Sequence, residues 1–218
     1  KNWDGSVLQS TSVAYGEMPN YTGTTPTKPA TDQYTYTFKG WDKEIASVTG
    51  EVVYTAQFET IVNKYTITFN NWDGTTLATY EVEYGQMPVF TETLPTKPAT
   101  SEYTYTFSGW SPAIVAVTGN ATYTATFSND VNSYTVTLDA ENGTVTGAGT
   151  YTYGTSANIV ATPAECYHFV KWSDGDTNAN RTIVVTGNLS LTAIFAVDTY
   201  TIKVESADDT QGTVSVTK

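Results

Sequence analysis

A mainly β array of small repeated modules is the architecture this sequence predicts, and three observations predict it. Tyr34-Thr35-Tyr36-Thr37-Phe38-Lys39-Gly40-Trp41 returns almost verbatim as Tyr103-Thr104-Tyr105-Thr106-Phe107-Ser108-Gly109-Trp110. The same offset links Asn2-Trp3-Asp4-Gly5 to Asn71-Trp72-Asp73-Gly74, Pro26-Thr27-Lys28-Pro29 to Pro95-Thr96-Lys97-Pro98, and Phe58 to Phe127. Repetition of this kind means that each unit must be read as one structural module of an array. Second, the repeated runs alternate apolar and polar residues with period two, the signature of half-buried strands. Third, only 15% of the 218 residues are charged, while the chain carries 16 Tyr, 8 Phe and 5 Trp. That composition suits short strands with hydroxyl-rich outer faces.

A unit of roughly 60–70 residues lies near the lower limit for burying its own core. The single cysteine, Cys166, allows no internal disulfide, so the aromatic residues must supply the burial. A formal charge of −12 repels phosphate backbones and anionic surfaces, which excludes nucleic acid as an expected partner. No apolar run reaches the ~18–20 residues needed to span a bilayer, so no membrane insertion is expected within residues 1–218.

Taken in order, Asp4-Gly5 supplies the turn chemistry of a hairpin whose second arm is expected over Val7–Tyr15, with no opening strand before it. In the second unit the opening strand is Tyr65–Phe69, Asp73-Gly74 makes the turn, and the strand ending at Tyr84 follows. There Tyr80, Val82 and Tyr84 face one way and Glu81 and Glu83 the other, as a one-sided sheet requires. The proline-bounded stretches ending at Pro29 and Pro98 are read as extended crossovers, with room for a short helical turn near Met18 or Met87. The key strands follow, each interrupted by Gly40 or Gly109, which signals a bulge that turns Trp41 or Trp110 toward the core. Val53–Phe58 and Thr122–Phe127 close the units. Glu59–Lys64, Ser128–Ser133 and Ala196–Thr199 are short polar linkers. The predicted boundaries are 1–60 for a unit lacking its first strand, 64–128 for a complete unit, 133–196 for a divergent unit, and 199–218 for the opening hairpin of a fourth. In that hairpin Tyr200–Val204 and Gly212-Thr213-Val214 match Tyr134–Leu138 and Gly143-Thr144-Val145.

Tyr-Thr-Ile-Thr-Phe, Trp-Asp-Gly, Glu-Tyr-Gly, Pro-Thr-Lys-Pro, Phe-Ser-Gly-Trp, Val-Thr-Gly and Tyr-Thr-Ala-Thr-Phe follow one another in fixed order across residues 65–127. This succession resembles the internalin-type B-repeat, or Listeria–Bacteroides repeat, over residues 1–128. Residues 134–195, with Tyr153-Gly154, Lys171-Trp172-Ser173-Asp174-Gly175 and Leu191–Phe195, resemble its divergent branch. The resemblance implies β-grasp-like modules with mixed sheets and little helix, strung into an elongated rod on a secreted or cell-surface bacterial protein. It implies a spacer, with adhesion to a host glycan or extracellular protein as the alternative, and no catalytic residues. Some members are basic and engage acidic polysaccharides; this acidic chain departs from them.

The candidate sites are few. Trp41, Trp110 and Trp172 end aromatic strands and are read as core residues. Trp3 and Trp72 precede tight turns and are the candidate ligand contacts, with packing against the crossover the competing reading. Asp174-Gly175-Asp176-Thr177-Asn178 spaces oxygens as an EF-hand loop begins, but Ala179 stands where glycine is needed and Val185 where a bidentate Glu is needed. A polar hairpin turn is the reading, a weak Ca²⁺ site the alternative. Cys166 and His168 share a strand face, too few for a zinc site or a catalytic dyad with its orienting third group. Partial burial of the Cys166 thiol is expected. Lys28, Lys64 and Lys97 raise Lys–Asn cross-links as a remote alternative. No metal, cofactor or enzymatic activity is expected. The chain is expected to be monomeric, with head-to-tail strand exchange, donated by Tyr200–Val204, as the alternative.

Overall fold

The structure, a computed structural model, describes residues 1–204. Among them there are thirteen strands and no helix, so neither Met18 nor Met87 starts a helical turn of regular structure. The chain divides into two compact units, Lys1–Lys97 with Thr106–Ser128, and Pro98–Tyr105 with the residues from Asn129 on.

In the first repeat the key stretch forms β1 (Tyr34–Trp41), paired antiparallel with β2 (Ala56–Val62) as a two-stranded sheet. Tyr34, Tyr36 and Phe38 face inward while Thr35, Thr37 and Lys39 are exposed. The register slips between Phe38 and Gly40, and Gly40 sits at φ 131, so the glycine makes the expected bulge. The bulge brings Trp41 edge-on to Phe38, at 5.5 Å, and to Tyr21, at 5.1 Å.

The expected second arm over Val7–Tyr15 forms no strand. The Asp-Gly turn itself is in place, with Gly5 N–H donating to Asn2 O at 3.0 Å. No segment among the described residues pairs with this arm, and an arm without a ladder partner gains none of the cross-strand pairing that makes a strand. The same cause shortens β2, which begins at Ala56 although its counterpart in the next repeat begins four positions earlier in the motif, at Ala121. Of residues 1–60 only Pro26 and Ala56 are buried.

In the second repeat the opening strand and its hairpin are both formed. β3 (Lys64–Asn70) pairs antiparallel with β4 (Thr76–Glu83), and parallel with β6 (Ala121–Val131). With β5 (Tyr103–Ser111) the order is β4-β3-β6-β5, so the first and last strands are central parallel neighbours. Ile67 and Phe69 on β3 are wholly buried, with Tyr123 and Val117 against them. Phe69 alone meets Trp110, Tyr80, Phe90 and Tyr123 within 4.7–5.9 Å. Residues 86–99, the crossover, carry no regular structure, as their prolines require.

The third repeat keeps this sheet and adds another. β7 (Ser133–Ala140) pairs parallel with β13 (Leu189–Val197) and antiparallel with β9 (Gly149–Thr152), and β11 (Tyr167–Trp172) completes the order β11-β13-β7-β9. Gly143-Thr144-Val145, read from sequence as part of the opening hairpin, instead starts β8 (Gly143–Thr146). That strand pairs with β10 (Ser156–Pro163), which also pairs with β12 (Asn180–Val184), in a separate three-stranded sheet. Ala157, Ile159 and Ala161 of β10 pack with Val136, Leu191, Ala193 and the wholly buried Trp172. Two sheets closing on one core give this repeat the burial that a disulfide-free unit of its size needs. Tyr200–Val204 form no strand, and Gly212-Thr213-Val214, the expected second arm of a fourth unit, lie outside the described residues.

Candidate functional site

In a protein built of repeats, two kinds of place can carry function: surfaces that recur with the period, and the segments that join one repeat to the next. The tight turns position the recurring surface. Asp4 Oδ1 accepts from Ser6 N–H at 2.9 Å and from its hydroxyl at 2.6 Å, and Asp73 does the same with Thr75 at 3.0 and 2.7 Å. The hydroxyl and backbone donors hold both carboxyls below the usual aspartate range. Trp3 and Trp72, just before these aspartates, are 47% and 44% exposed. Lys28 Nζ lies 5.2 Å from the Trp3 ring centroid and 3.8 Å from that of Tyr36, and Lys97 Nζ lies 5.1 Å from Trp72. Each Pro-Thr-Lys-Pro crossover therefore lays its lysine over the half-exposed tryptophan, a contact of about 0.5–1 kcal/mol at such sites. Asn2 Nδ2 donates to Thr27 O at 3.2 Å and ties the first hairpin to its crossover as well. The packing reading of Trp3 and Trp72 thus has named partners, and about half of each ring is left for solvent.

The segments read from sequence as the linkers Glu59–Lys64 and Ser128–Ser133 are instead strand up to Val62 and Val131 and again from Lys64 and Ser133, and the one residue left between, Asn63 or Asn132, is a second recurring device that sequence reasoning passed over. Asn63 donates both amide hydrogens, to Thr31 O at 2.8 Å and Asp32 O at 2.9 Å, and accepts the Thr35 hydroxyl at 2.7 Å. Its backbone N–H reaches Gln33 O and its carbonyl accepts from Tyr84 N–H, each at 2.9 Å. The Tyr65 hydroxyl adds a bond to Asp32 O at 2.7 Å. Asn132 repeats the pattern with Thr100 O, Ser101 O and the Thr104 hydroxyl at 2.8, 3.1 and 2.7 Å, and Tyr134 donates to Ser101 O at 2.6 Å. Each asparagine uses every polar group it owns to fasten the start of a key strand to the start of the next opening strand. The signal that could have found it was present: Asn63 and Asn132 recur in register with Thr35/Thr104 and Tyr65/Tyr134.

After the third repeat the device is altered. Asp198, two residues before Tyr200 as Asn63 is two before Tyr65, donates its N–H to Cys166 O at 2.8 Å, and its Oδ1 lies 2.9 Å from His168 Nδ1. An aspartate–histidine contact replaces the asparagine–threonine one, and Asp198 has no side-chain amide to donate to the carbonyls that Asn63 and Asn132 hold in the earlier repeats.

The remaining candidates resolve simply. Trp172 Nε1 donates to Asn178 O at 3.0 Å from a fully buried ring, a core role. Trp110 packs on Phe69 and Phe90. In the Asp174–Asn178 turn the cation is internal: Arg181 reaches Asp174 Oδ2 at 2.6 Å and Asp176 Oδ2 at 2.9 Å. Its guanidinium lowers the Asp174 carboxyl first of all, while Asp176 is lowered chiefly by the Asn178 N–H and then by Arg181. Oxygens already neutralised by an arginine make a hairpin turn, not a calcium loop. Cys166 is exposed, against the expected burial, because it sits at φ 65 in the turn entering β11 rather than on the strand. Lys64 pairs with Glu83 at 3.8 Å. Among the described residues no group of three metal-ligating side chains comes together, and no helix is long and apolar enough to cross a membrane.

A mixed sheet with parallel first and last strands, repeated along the chain and joined by a recurring polar clamp, defines a tandem β-repeat segment. Residues 65–132 match the Listeria-Bacteroides repeat domain, and residues 134–199 match the divergent InlB B-repeat domain. Residues 65–199 therefore belong to the B-repeat families, one typical unit followed by one divergent unit. Among solved structures the chain is similar to Streptococcal High Identity Repeats in Tandem (SHIRT) domains 3–4 from a cell surface protein. The identity is 20% over 56% of this chain and 83% of that one, with a TM-score of 0.32. No curated protein matches the chain.

Proposed function

We propose that this segment is a non-enzymatic spacer of a bacterial cell-surface or secreted protein. The observation that carries the reading is the clamp at Asn63 and Asn132, which spends the full hydrogen-bonding capacity of a linker residue on fixing it to both flanking strands. A flexible tether has no use for such a residue. The parallel pairing of β3 with β6 and of β7 with β13 supports it further, since a chain that enters and leaves a module on parallel neighbours enters at one end and leaves at the other. Small-angle scattering of the chain tests the clamp's part in this: a distribution of dimensions that Asn63→Ala with Asn132→Ala broadens is the expected result. A distribution unchanged by the two substitutions refutes it.

A second reading is adhesion to a host glycan or extracellular protein through Trp3 and Trp72. The half-exposed rings, each with a lysine overhead at the repeat period, favour it. A panel of polysaccharides and matrix proteins, with Trp3→Ala/Trp72→Ala as control, separates the two. Binding lost in the folded double variant adds adhesion to the spacer role, and no binding by the parent chain removes it.

A further inference from the structure

Tension along the chain reaches the second and third repeats at two places, the start of the opening strand and the end of the closing strand, and the sheet sets those two strands side by side. In the second repeat β3 and β6 run parallel, from Ile67 beside Ala121 to Asn70 beside Thr124. In the third, β7 and β13 run parallel, from Val136 beside Leu189 to Ala140 beside Ala193. A pull on Lys64 and on Val131 therefore draws two parallel neighbours in opposite directions along their own axes. The evenly spaced bonds of a parallel ladder are then strained together, whereas strands drawn apart from one end lose their bonds singly.

Other features of both repeats serve the same end. The ladders are covered by core: Ile67 and Phe69 of β3 are wholly buried, Tyr123 of β6 stacks on Phe69 at 5.4 Å, and Val136 and Leu191 are buried in the third repeat. Sliding one strand past the other must drag these side chains through close-packed neighbours. An asparagine stands directly before each closing strand and adds a rung where the load first arrives. Thr66 N–H donates to Asn120 Oδ1 and Thr135 N–H to Asn188 Oδ1, each at 2.9 Å. Between the repeats there is no slack, because β6 ends at Val131, β7 begins at Ser133, and the residue between them, Asn132, is held by its own hydrogen bonds. We propose that the second and third repeats are load-bearing modules: the parallel pair of first and last strands, entered through the asparagine rung, is a shear lock that keeps the module folded while the chain is under tension. This deepens the spacer reading and rests on it, since it states what the spacer withstands.

Single-molecule stretching of the full chain tests it on the second repeat, with handles on introduced cysteines in a Cys166→Ser background; Cys166 is exposed and lies outside that repeat. Handles at Lys64→Cys and Asp130→Cys load β3 against β6 in shear. Handles at Lys64→Cys and Thr118→Cys draw apart the adjacent starts of the same two strands. All three positions are exposed, and loss of the Lys64–Glu83 pair is common to both variants. In shear the expected result is one abrupt opening that lengthens the chain by roughly 200 Å, at 3.3–3.6 Å per residue released. The force of that opening is expected to exceed the force needed in the second direction. Asn120→Ala is expected to lower the shear force while the denaturant midpoint stays near the parent's, a split that a merely structural residue does not produce. Equal forces in the two directions overturn the proposal, and so does a shear force that Asn120→Ala leaves unchanged. Either failure leaves the spacer reading to its own scattering test, which reads the joints between repeats and not their resistance to load.

Discussion

Replacing Asn63 by alanine tests the clamp most directly. The substitution removes three side-chain hydrogen bonds, two donated to Thr31 O and Asp32 O and one accepted from the Thr35 hydroxyl. Net hydrogen-bond contributions run at about 0.5–1.5 kcal/mol each. The site is half-buried and water can replace part of what is lost, so the lower half of that range applies, and three bonds give about 2 kcal/mol. Because the bonds fasten the start of β1 to the linker without entering the core of any repeat, the loss is expected as local opening rather than global unfolding. At about 1.4 kcal/mol per tenfold, exchange of the Gln33 and Asn63 region amides should speed up by roughly 30-fold. Hydrogen exchange with mass readout on peptides covering residues 31–35 and 61–65 measures it, and the Ile67–Phe69 amides serve as the unchanged reference. Asn63→Asp keeps the acceptor and loses both donors, so it should recover only a minor part. Unchanged exchange at residues 31–35 in Asn63→Ala would mean that the Tyr65 hydroxyl and the backbone pairs hold the linker alone, and the clamp argument would fail.

Two further perturbations address other elements. Gly109→Ala meets no neighbouring atom within 4 Å but forces an L side chain to φ 140; about 1–3 kcal/mol of backbone strain is expected, read as a lowered denaturant midpoint. An unchanged midpoint would mean that β5 relaxes its bulge at no cost. Arg181→Gln tests the ion cluster through pH. The Asp174 and Asp176 carboxyls lie below the unfolded aspartate value in the folded state, so their contribution is present above about pH 4 and is lost as pH falls through the depressed values. The stability difference between parent and variant should be level near neutrality and shrink on acidification; a difference that persists undiminished at low pH would show that Arg181 acts through packing on Trp172 instead.

Much of the fold was legible because its signals are local. Period-two alternation in Tyr34–Phe38, Tyr65–Phe69 and Tyr103–Phe107 states which face of each strand is buried without reference to any partner. Asp4-Gly5 and Asp73-Gly74 state where the chain turns, and Gly40 states where the ladder slips, because only certain residues take those backbone angles. The core roles of Trp110 and Trp172 followed from their place at the ends of aromatic strands.

What the residues could not state alone was pairing. Val7–Tyr15 has the turn and arm of a hairpin, yet it forms no strand, since a ladder is made between segments and no described segment pairs with it. Gly143–Thr146 has the spacing of a hairpin arm and joins a different sheet, which a repeat pattern cannot anticipate. Asn63 and Asn132 look like ordinary linker residues until Thr31–Thr35 and Thr100–Thr104 are brought against them. Lys28 and Lys97 look like surface charge until the crossover lays them on Trp3 and Trp72. The amino-acid sequence by itself determined the repeat, the strand faces and the turns, because those depend on backbone angles and on neighbours one or two residues away. Only the tertiary structure decided which strands find partners and which linker groups are clamped, because those bonds join residues tens of positions apart.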